Sequence, residues 1–241
     1  MQVRSEPARL LERTTWEGAK LPDAWFVFGE PSPLVDSSGG HPVFSLNGDS
    51  SYTNGLRLRT ALDARRGLVV RARMKFRVTA TQWQSMAFGV ETQSVDSAWR
   101  RWDKRTGAPP HAPLSFAHCD LTHPAGEGAS SLGSMLVGES AGLMVIPAPG
   151  PVRRGEWVWA EVQMLPDGRC GVAVDGQPLR LTRLRQPVTT PMEVVISGQA
   201  HRTRMLVDTI EVYVGVLHPD WWLALDLKRR ASDSVPVPTR R

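Results

Sequence analysis

The chain has 241 residues, of which 41% are hydrophobic and 22% charged, a balance typical of globular proteins that argues against wholesale disorder. The net charge of +5 and the pI near 9.8 would suit nucleic acid or an anionic membrane. All except four of the 29 basic residues are arginine, however, and a coding bias can produce such an excess without any functional demand. No run approaches 18 apolar residues and no apolar signal-peptide core is visible, so the sequence predicts a cytoplasmic protein without a transmembrane helix.

The first forty residues are predicted to form an N-terminal arm and the first strands. Residues 1–20 resemble a short helix or arm, with Leu10 and Leu11 as its docking residues. Residues 21–50 are rich in turns. We therefore expect the main domain to occupy residues 41–217, which is a suitable length for one β domain.

The longest alternating run, residues 68–78, predicts a strand with one basic face. Alternate residues of a strand share a face, and the inward side chains would be Val70, Ala72, Met74, Phe76 and Val78. The opposite face carries what we call the basic stripe: Arg71, Arg73, Lys75 and Arg77. Its charges span about 20 Å and suit an extended polyanion or an acidic protein surface. The alternative is a solvated outer face whose neighbouring strands supply acidic partners.

Residues 96–134 show little periodicity and are predicted to form a long loop with a role in binding or assembly. Part of it interleaves tryptophan with arginine, the enriched anchors of protein interfaces. The partner-binding residues predicted there are Trp99, Arg100, Arg101, Trp102 and Arg105. The alternative is that one of these tryptophans caps the core while the arginines are solvated.

A small group of histidines and a cysteine in the same loop resembles a metal site. The residues are His118, Cys119, Asp120 and His123. No second cluster completes the four ligands that zinc requires, so neither a metal nor a cofactor is predicted. A nucleophilic pair of Cys119 and His118 lacks the third group that would orient the base.

Residues 155–179 predict a β-hairpin. Pro166, Asp167 and Gly168 form the first turn, and Asp175 and Gly176 form a second tight turn. The inward face of the first strand would carry Val158, Ala160, Val162 and Met164. The other face would carry Trp157, Trp159, Glu161 and Gln163.

The C-terminal extension, residues 218–241, combines tryptophans with a basic cluster. Alternation favours a strand over residues 221–228, with a short amphipathic helix as second choice. The predicted partner-binding residues are Trp221, Trp222, Lys228, Arg229 and Arg230. Aromatic side chains beside cations also suit peripheral contact with an anionic membrane. The alternative is an edge strand or cap that packs on the main domain.

Four segments carry a resemblance to a known fold family. They are NGLRLRT (54–60), GLVVRARMKF (67–76), EWVWAEVQMLPDGRCGVAVDGQPL (156–179) and VDTIEVYVGV (207–216). In this order they resemble a concanavalin A-like or laminin G-like jelly-roll domain, of a bacterial, non-catalytic kind, over residues 41–217. The resemblance implies an all-β fold with two antiparallel sheets packed as a sandwich, flanked here by terminal arms.

Glucan hydrolases of that family carry acidic residues at alternate positions of one strand, in a form like E-x-D-x-x-E. This sequence departs from that pattern. Glu156 and Glu161, like Asp208 and Glu211, are an odd number of residues apart and are expected to face opposite sides. Glu91 has no acidic residue two positions away. We therefore expect no enzymatic activity.

The function predicted from these features is a non-catalytic interaction module. It would be an accessory or structural subunit that docks on other protein subunits of a larger assembly, at the cytoplasmic face of a membrane complex. The alternative is a carbohydrate-binding, lectin-like module in which sugars stack on Trp83 or Trp99. Nucleic acid ranks below both because no aromatic RNA-binding strand or recognition helix is visible. Cys119 and Cys170 are expected to be free thiols in the cytoplasm, with a disulfide as the alternative.

Overall fold

The structure, a computed structural model, describes residues 7–17, 20–28, 34–37, 40–47, 54–78, 84–92, 118–123, 134–139, 142–147, 155–184, 191–200 and 203–222. Within these ranges no helix is long and apolar enough to cross a bilayer. The strands in chain order are β1 (Arg9–Thr15), β2 (Trp25–Phe28), β3 (Leu34–Asp36), β4 (Val43–Asn47), β5 (Asn54–Leu58), β6 (Leu68–Val78), β7 (Gln84–Thr92), β8 (His118–His123), β9 (Ser134–Glu139), β10 (Gly142–Pro147), β11 (Trp157–Met164), β12 (Arg169–Val174), β13 (Gln177–Arg183), β14 (Met192–Ala200) and β15 (Thr203–Val214).

These strands form two antiparallel sheets. The eight-stranded sheet has the order β13-β12-β11-β6-β15-β4-β3, with β1 also paired to β15. The seven-stranded sheet has the order β10-β9-β8-β7-β14-β5-β2. One hydrophobic core contains side chains from both sheets, as expected when the apolar faces of two sheets pack together. The predicted all-β sandwich is confirmed.

The core is built from the inward positions that the alternation predicts. Phe88 and Val90 on β7 face the same core as Val194 and Ile196 on β14. The side chain of Phe76 is not among those described, and Val214 is only partly buried against the core. The predicted inward residues that are buried are Val70, Ala72, Met74, Val158, Ala160, Val162 and Met164. The strands β12 and β15 bury Val172, Val174, Ile210 and Val212 in the same core.

A disulfide between Cys119 of β8 and Cys170 of β12 links the two sheets through the core. Their Cα atoms are 5.8 Å apart, and both residues are fully buried. The expectation of two free thiols is therefore wrong. The position of β8 also corrects the predicted loop 96–134: residues 118–123 pair with β7 and β9, because Cys119 and Leu121 supply two alternate inward side chains.

Residues 9–15 of the N-terminal segment form a sheet strand and not a helix or a free arm. β15 has twelve residues, and β4 pairs only with residues 204–207 of it. β1 pairs with residues 209–214 on the same side and so provides hydrogen-bond partners for backbone that β4 does not reach.

The C-terminal segment also differs from its predicted strand. Residues 219–222, called the C-terminal turn, are helical, and Pro219 stands at the first helical position, where a missing N–H has no cost. Trp221 stacks on His218, with ring centroids 4.3 Å apart. The prediction for residues 223–241 lies outside the described residues.

Candidate functional site

The outer face of the eight-stranded sheet, across β11, β6 and β15, carries a row of alternating charges. Glu161 lies opposite Arg71, and Arg71 lies opposite Glu211. Glu211 in turn lies opposite Arg13 of β1. The period of two places these side chains on the face directed away from the core, where opposite charges in register attract each other.

Glu161 lies at the centre of a polar network. Only 3% of Glu161 is exposed. Gln163 Nε2 donates a hydrogen bond of 2.8 Å to Glu161 Oε1, and His218 Nε2 lies 3.3 Å from both carboxylate oxygens. Arg71 Nε lies 3.3 Å from Glu161 Oε2 without the alignment of a hydrogen bond, so this contact is an ion pair.

Glu211 receives contacts from three strands. Arg71 Nη1 lies 3.4 Å from Glu211 Oε2, and Arg13 Nε lies 3.8 Å from Oε1. The Tyr213 hydroxyl donates a hydrogen bond of 2.8 Å to Glu211 Oε2. Burial raises the pKa of Tyr213, and so does its bond to the Glu211 carboxylate, because a phenolate would lose the donated proton and repel the carboxylate.

A β-bulge brings Asp208 to the same face. The register between β15 and β6 shifts between Val207 and Thr209, so one extra residue enters β15 and the parity of the strand changes there. Arg73 Nη1 contacts Asp208 Oδ2 at 3.0 Å, and His41 Nε2 contacts Oδ1 at 2.7 Å. The expectation that Asp208 and Glu211 face opposite sides is therefore wrong.

Trp157 and Trp159 are half-buried on this face. The guanidinium of Arg71 lies 4.8 Å from the ring centre of Trp159. The guanidinium of Arg73 and the ammonium of Lys75 lie 5.5 Å and 6.0 Å from the ring centre of Trp157. One cation of β6 thus lies against Trp159 and two lie against Trp157, and such contacts are attractive because the ring face is negative.

The contacts of the basic stripe support the alternative interpretation for two of its members. Arg71 and Arg73 have acidic partners on neighbouring strands, as a solvated outer face requires. Lys75 lies opposite Trp157 and Leu206 and has no carboxylate partner within the described residues. Arg77 continues β6, and its side chain lies outside the described set.

The C-terminal turn caps one end of the site. Trp222 is 3% exposed and packs with Leu165 and Val216 in a small second cluster. A Cβ added to Gly171 would lie 2.9 Å from Trp222 Cη2, so the indole rests directly on the backbone of β12. Trp222 is therefore packed as the alternative, a cap on the main domain, describes, and its role in partner binding stays a prediction. Trp221 is half-buried.

Several predicted site residues fall on parts of the chain that the structure does not describe. His118, Asp120 and His123 belong to β8, and no group of three His, Cys, Asp or Glu residues that would hold a metal ion occurs among the residues described. The predicted residues outside the described ranges are Trp83, Trp99, Arg100, Arg101, Trp102, Arg105, Lys228, Arg229 and Arg230.

No protein-family model matches the chain, and neither does any curated protein. Among solved structures, the potassium-bound Emp46p carbohydrate recognition domain matches with a TM-score of 0.60 and 10% identity, over 83% of this chain and 95% of that one. An endo-β-1,3-glucanase from Pyrococcus furiosus matches with a TM-score of 0.58 and 13% identity, over 87% and 95% of the two chains.

Domain 4 of AbnA, a GH43 extracellular arabinanase from Geobacillus stearothermophilus solved with arabinotriose, matches with a TM-score of 0.55 and 14% identity. The match covers 89% of this chain and 97% of that one. The fold is a concanavalin A-like jelly roll. Since the identities are low, the comparisons define this jelly roll and not its activity; its structural neighbours include both lectin domains and glycosidases.

Proposed function

We propose that this jelly roll is a non-catalytic carbohydrate-binding module whose site is the outer face around Trp157 and Trp159. The observation that carries the proposal is this pair of half-buried indoles on one strand, with charged groups fixed beside them. Alternate residues of a strand are about 7 Å apart. Two such rings offer apolar surfaces for the C–H faces of neighbouring sugar units.

The polar groups of the site supply what a sugar requires besides stacking. Binding sites combine apolar surface with a few placed polar groups that fix orientation. Arg73 is exposed and Lys75 half-buried, and Asp208 fixes the position of the Arg73 guanidinium through a contact of 3.0 Å. The carbohydrate recognition domain and the arabinotriose complex among the structural neighbours support this proposal.

Binding without hydrolysis fits the partners of the three carboxylates. A glycosidase uses one carboxyl group to protonate the leaving oxygen and a second as nucleophile or base. Glu161, Asp208 and Glu211 each contact an arginine, which occupies the oxygens that a sugar would need to reach. We therefore keep the prediction that the protein is not an enzyme.

The test is calorimetric titration of the full chain with arabinotriose, laminaritriose and mannotriose. Trp157→Ala and Trp159→Ala should each weaken the binding of whichever sugar is bound by about tenfold or more, since an aromatic anchor at a binding centre typically contributes that much. Phe26→Ala is the matched control, because Phe26 is an exposed aromatic residue of the other sheet. Unchanged affinity in both tryptophan variants, or equal loss in Phe26→Ala, would contradict the site.

A docking role on a protein assembly is the second candidate, favoured by β1. Leu10 and Leu11 are 46% and 45% exposed on a strand that pairs only with β15 in the described part of the chain, and an edge of this kind accepts a partner strand. Replacing both leucines with serine should abolish co-purification of a partner in mild detergent and leave sugar binding intact. The interaction residues in loop 96–134 and after residue 227 stay predictions.

The buried disulfide supports an oxidising compartment as the site of folding, since disulfides are rare in the reducing cytosol. The cytoplasmic location, with peripheral contact to the inner membrane, stays a prediction from the sequence. Alkylation of the protein extracted from its native source, with and without prior reduction, distinguishes the two: a disulfide present before extraction leaves no reactive thiol until a reductant is added.

A further inference from the structure

We propose that the site selects acidic saccharides, with Lys75 and Arg73 holding a carboxylate or sulfate group of a sugar stacked at Trp157. This inference rests on the proposed function and adds the class of ligand. It follows from three properties of the face. The cations of β6 have fewer carboxylate contacts from Arg71 towards Lys75, and both Arg73 and Lys75 lie against the ring of Trp157. The acidic side chains lie towards the Arg71 end of the stripe.

Charge compensation decreases along the basic stripe. Arg71 contacts two carboxylates, those of Glu161 and Glu211. Arg73 contacts one, that of Asp208. Lys75 contacts none among the described residues, and its cross-strand neighbours, Trp157 and Leu206, are apolar. Among the described side chains of the stripe, Lys75 is therefore the cation without a carboxylate contact.

The two cations at this end are held against the same ring. Arg73 and Lys75 are two residues apart on β6, so their Cα atoms are about 7 Å apart, and both lie within 6.0 Å of the ring centre of Trp157. Asp208 engages Arg73 through Nη1, and a guanidinium carries five N–H donors. The remaining N–H groups of Arg73 are therefore available to an anion. Because Lys75 already lies against the ring of Trp157, it loses less conformational entropy when it binds that anion.

The distribution of acidic groups favours a saccharide over a long polyanion. A nucleic acid or a charged membrane that follows the stripe from Lys75 would meet Asp208 and then the paired carboxylates of Glu161 and Glu211. Like charges at that end oppose an extended anion. A ligand with one acid group on a ring that stacks at Trp157 avoids them.

The test uses calorimetric titration with a galactotriose whose terminal unit is galacturonic acid, its methyl ester and a galactotriose with one sulfate on the terminal unit. The acid should bind at least about tenfold more tightly than its ester, because charge-assisted hydrogen bonds are roughly twice as strong as neutral ones. Lys75→Gln should remove that advantage, Lys75→Arg should keep most of it, and Lys20→Gln is the matched control because Lys20 is an exposed lysine outside the strands. Thermal unfolding of each variant verifies that it is folded. The sulfated probe shows whether sulfate replaces carboxylate.

Each outcome decides a different question. Equal binding of the acid and its ester overturns the selection of acidic sugars and leaves the proposed function intact. Loss of acid binding in Lys20→Gln as large as in Lys75→Gln overturns the assignment to Lys75. If no saccharide, acidic or neutral, binds the wild type, the proposed function itself is wrong. If phosphatidylglycerol vesicles or a single-stranded DNA 12-mer compete at equal charge concentration, the ligand is a general anion and the inference fails.

Discussion

At the scale of residues, the burial of an ion pair, and not the distance between its charged atoms, decides how much the pair contributes to stability. Arg65 Nη2 and Asp63 Oδ2 are only 2.7 Å apart, but the two side chains are 78% and 49% exposed. Hydrogen bonds from Arg65 lower the pKa of Asp63 to about 2; the resulting stabilisation is present above the ordinary pKa of 3.8 and is lost as the pH falls through 2. Solvent screens this exposed pair. Arg71 and Glu161 are farther apart, yet the burial of Glu161 makes loss of its partner costly.

Tyr213, which donates a hydrogen bond to Glu211, makes the stability of the fold depend on pH in the alkaline range. Its pKa is raised in the folded state, so its stabilising contribution is fully present below the ordinary value of 10 and is lost as the pH rises through the raised value. Tyr213→Phe should cost about 1 kcal/mol at neutral pH through the lost hydrogen bond. The melting temperature of this variant should then fall less steeply than that of the wild type above about pH 10. Parallel curves of melting temperature against pH would contradict this role.

At the scale of elements, patterns within one strand could be predicted from the sequence, and features that depend on a distant partner could not. Alternation alone identifies both faces of β6 and β11, because burial on one side imposes a period of two. β1 pairs with the part of β15 that β4 leaves without a neighbour on that side. The sequence of β1 alone does not show that this edge is available. The bulge at Asp208 likewise appears only when β15 is aligned with β6, so counting residues in β15 alone placed Asp208 on the wrong face.

The C-terminal turn is predicted to act as a structural cap. Trp222→Ala should lower the free energy of unfolding by about 3 kcal/mol, since it removes a buried aromatic side chain from a packed cluster. Trp221→Ala is the matched control and should cost less, because Trp221 is half-buried and stacks mainly on His218. Urea denaturation measures both. A cost for Trp222→Ala no greater than that of Trp221→Ala would show that the turn is not needed for the fold.

At the scale of the whole molecule, the disulfide joins the two sheets. The alternation of apolar residues predicts the inner face of each strand, but it does not predict how one sheet is placed over the other. Cys119 and Cys170 are separated by 51 residues, and their pairing depends on how the two sheets stack. Closing a loop of this length in the unfolded chain corresponds to about 4 kcal/mol of stabilisation. The double variant Cys119→Ala/Cys170→Ala should lose a comparable amount in guanidinium denaturation. If wild type and variant unfold at the same denaturant concentration, the bond contributes nothing to stability.

The same cross-link also fixes alignments that hydrophobic patterning leaves ambiguous. A strand that slips by two residues keeps every apolar side chain on the inner face, so alternation by itself allows several alignments of β12 over β8. Such a slip moves Cys170 by about 7 Å along the strand, which carries the two Cα atoms beyond the roughly 7 Å that a disulfide can bridge. Only chains in which both sheets are correctly aligned can therefore oxidise to the native bond, and the absence of free thiols in a purified monomer without disulfides between chains would report correct assembly of the sandwich.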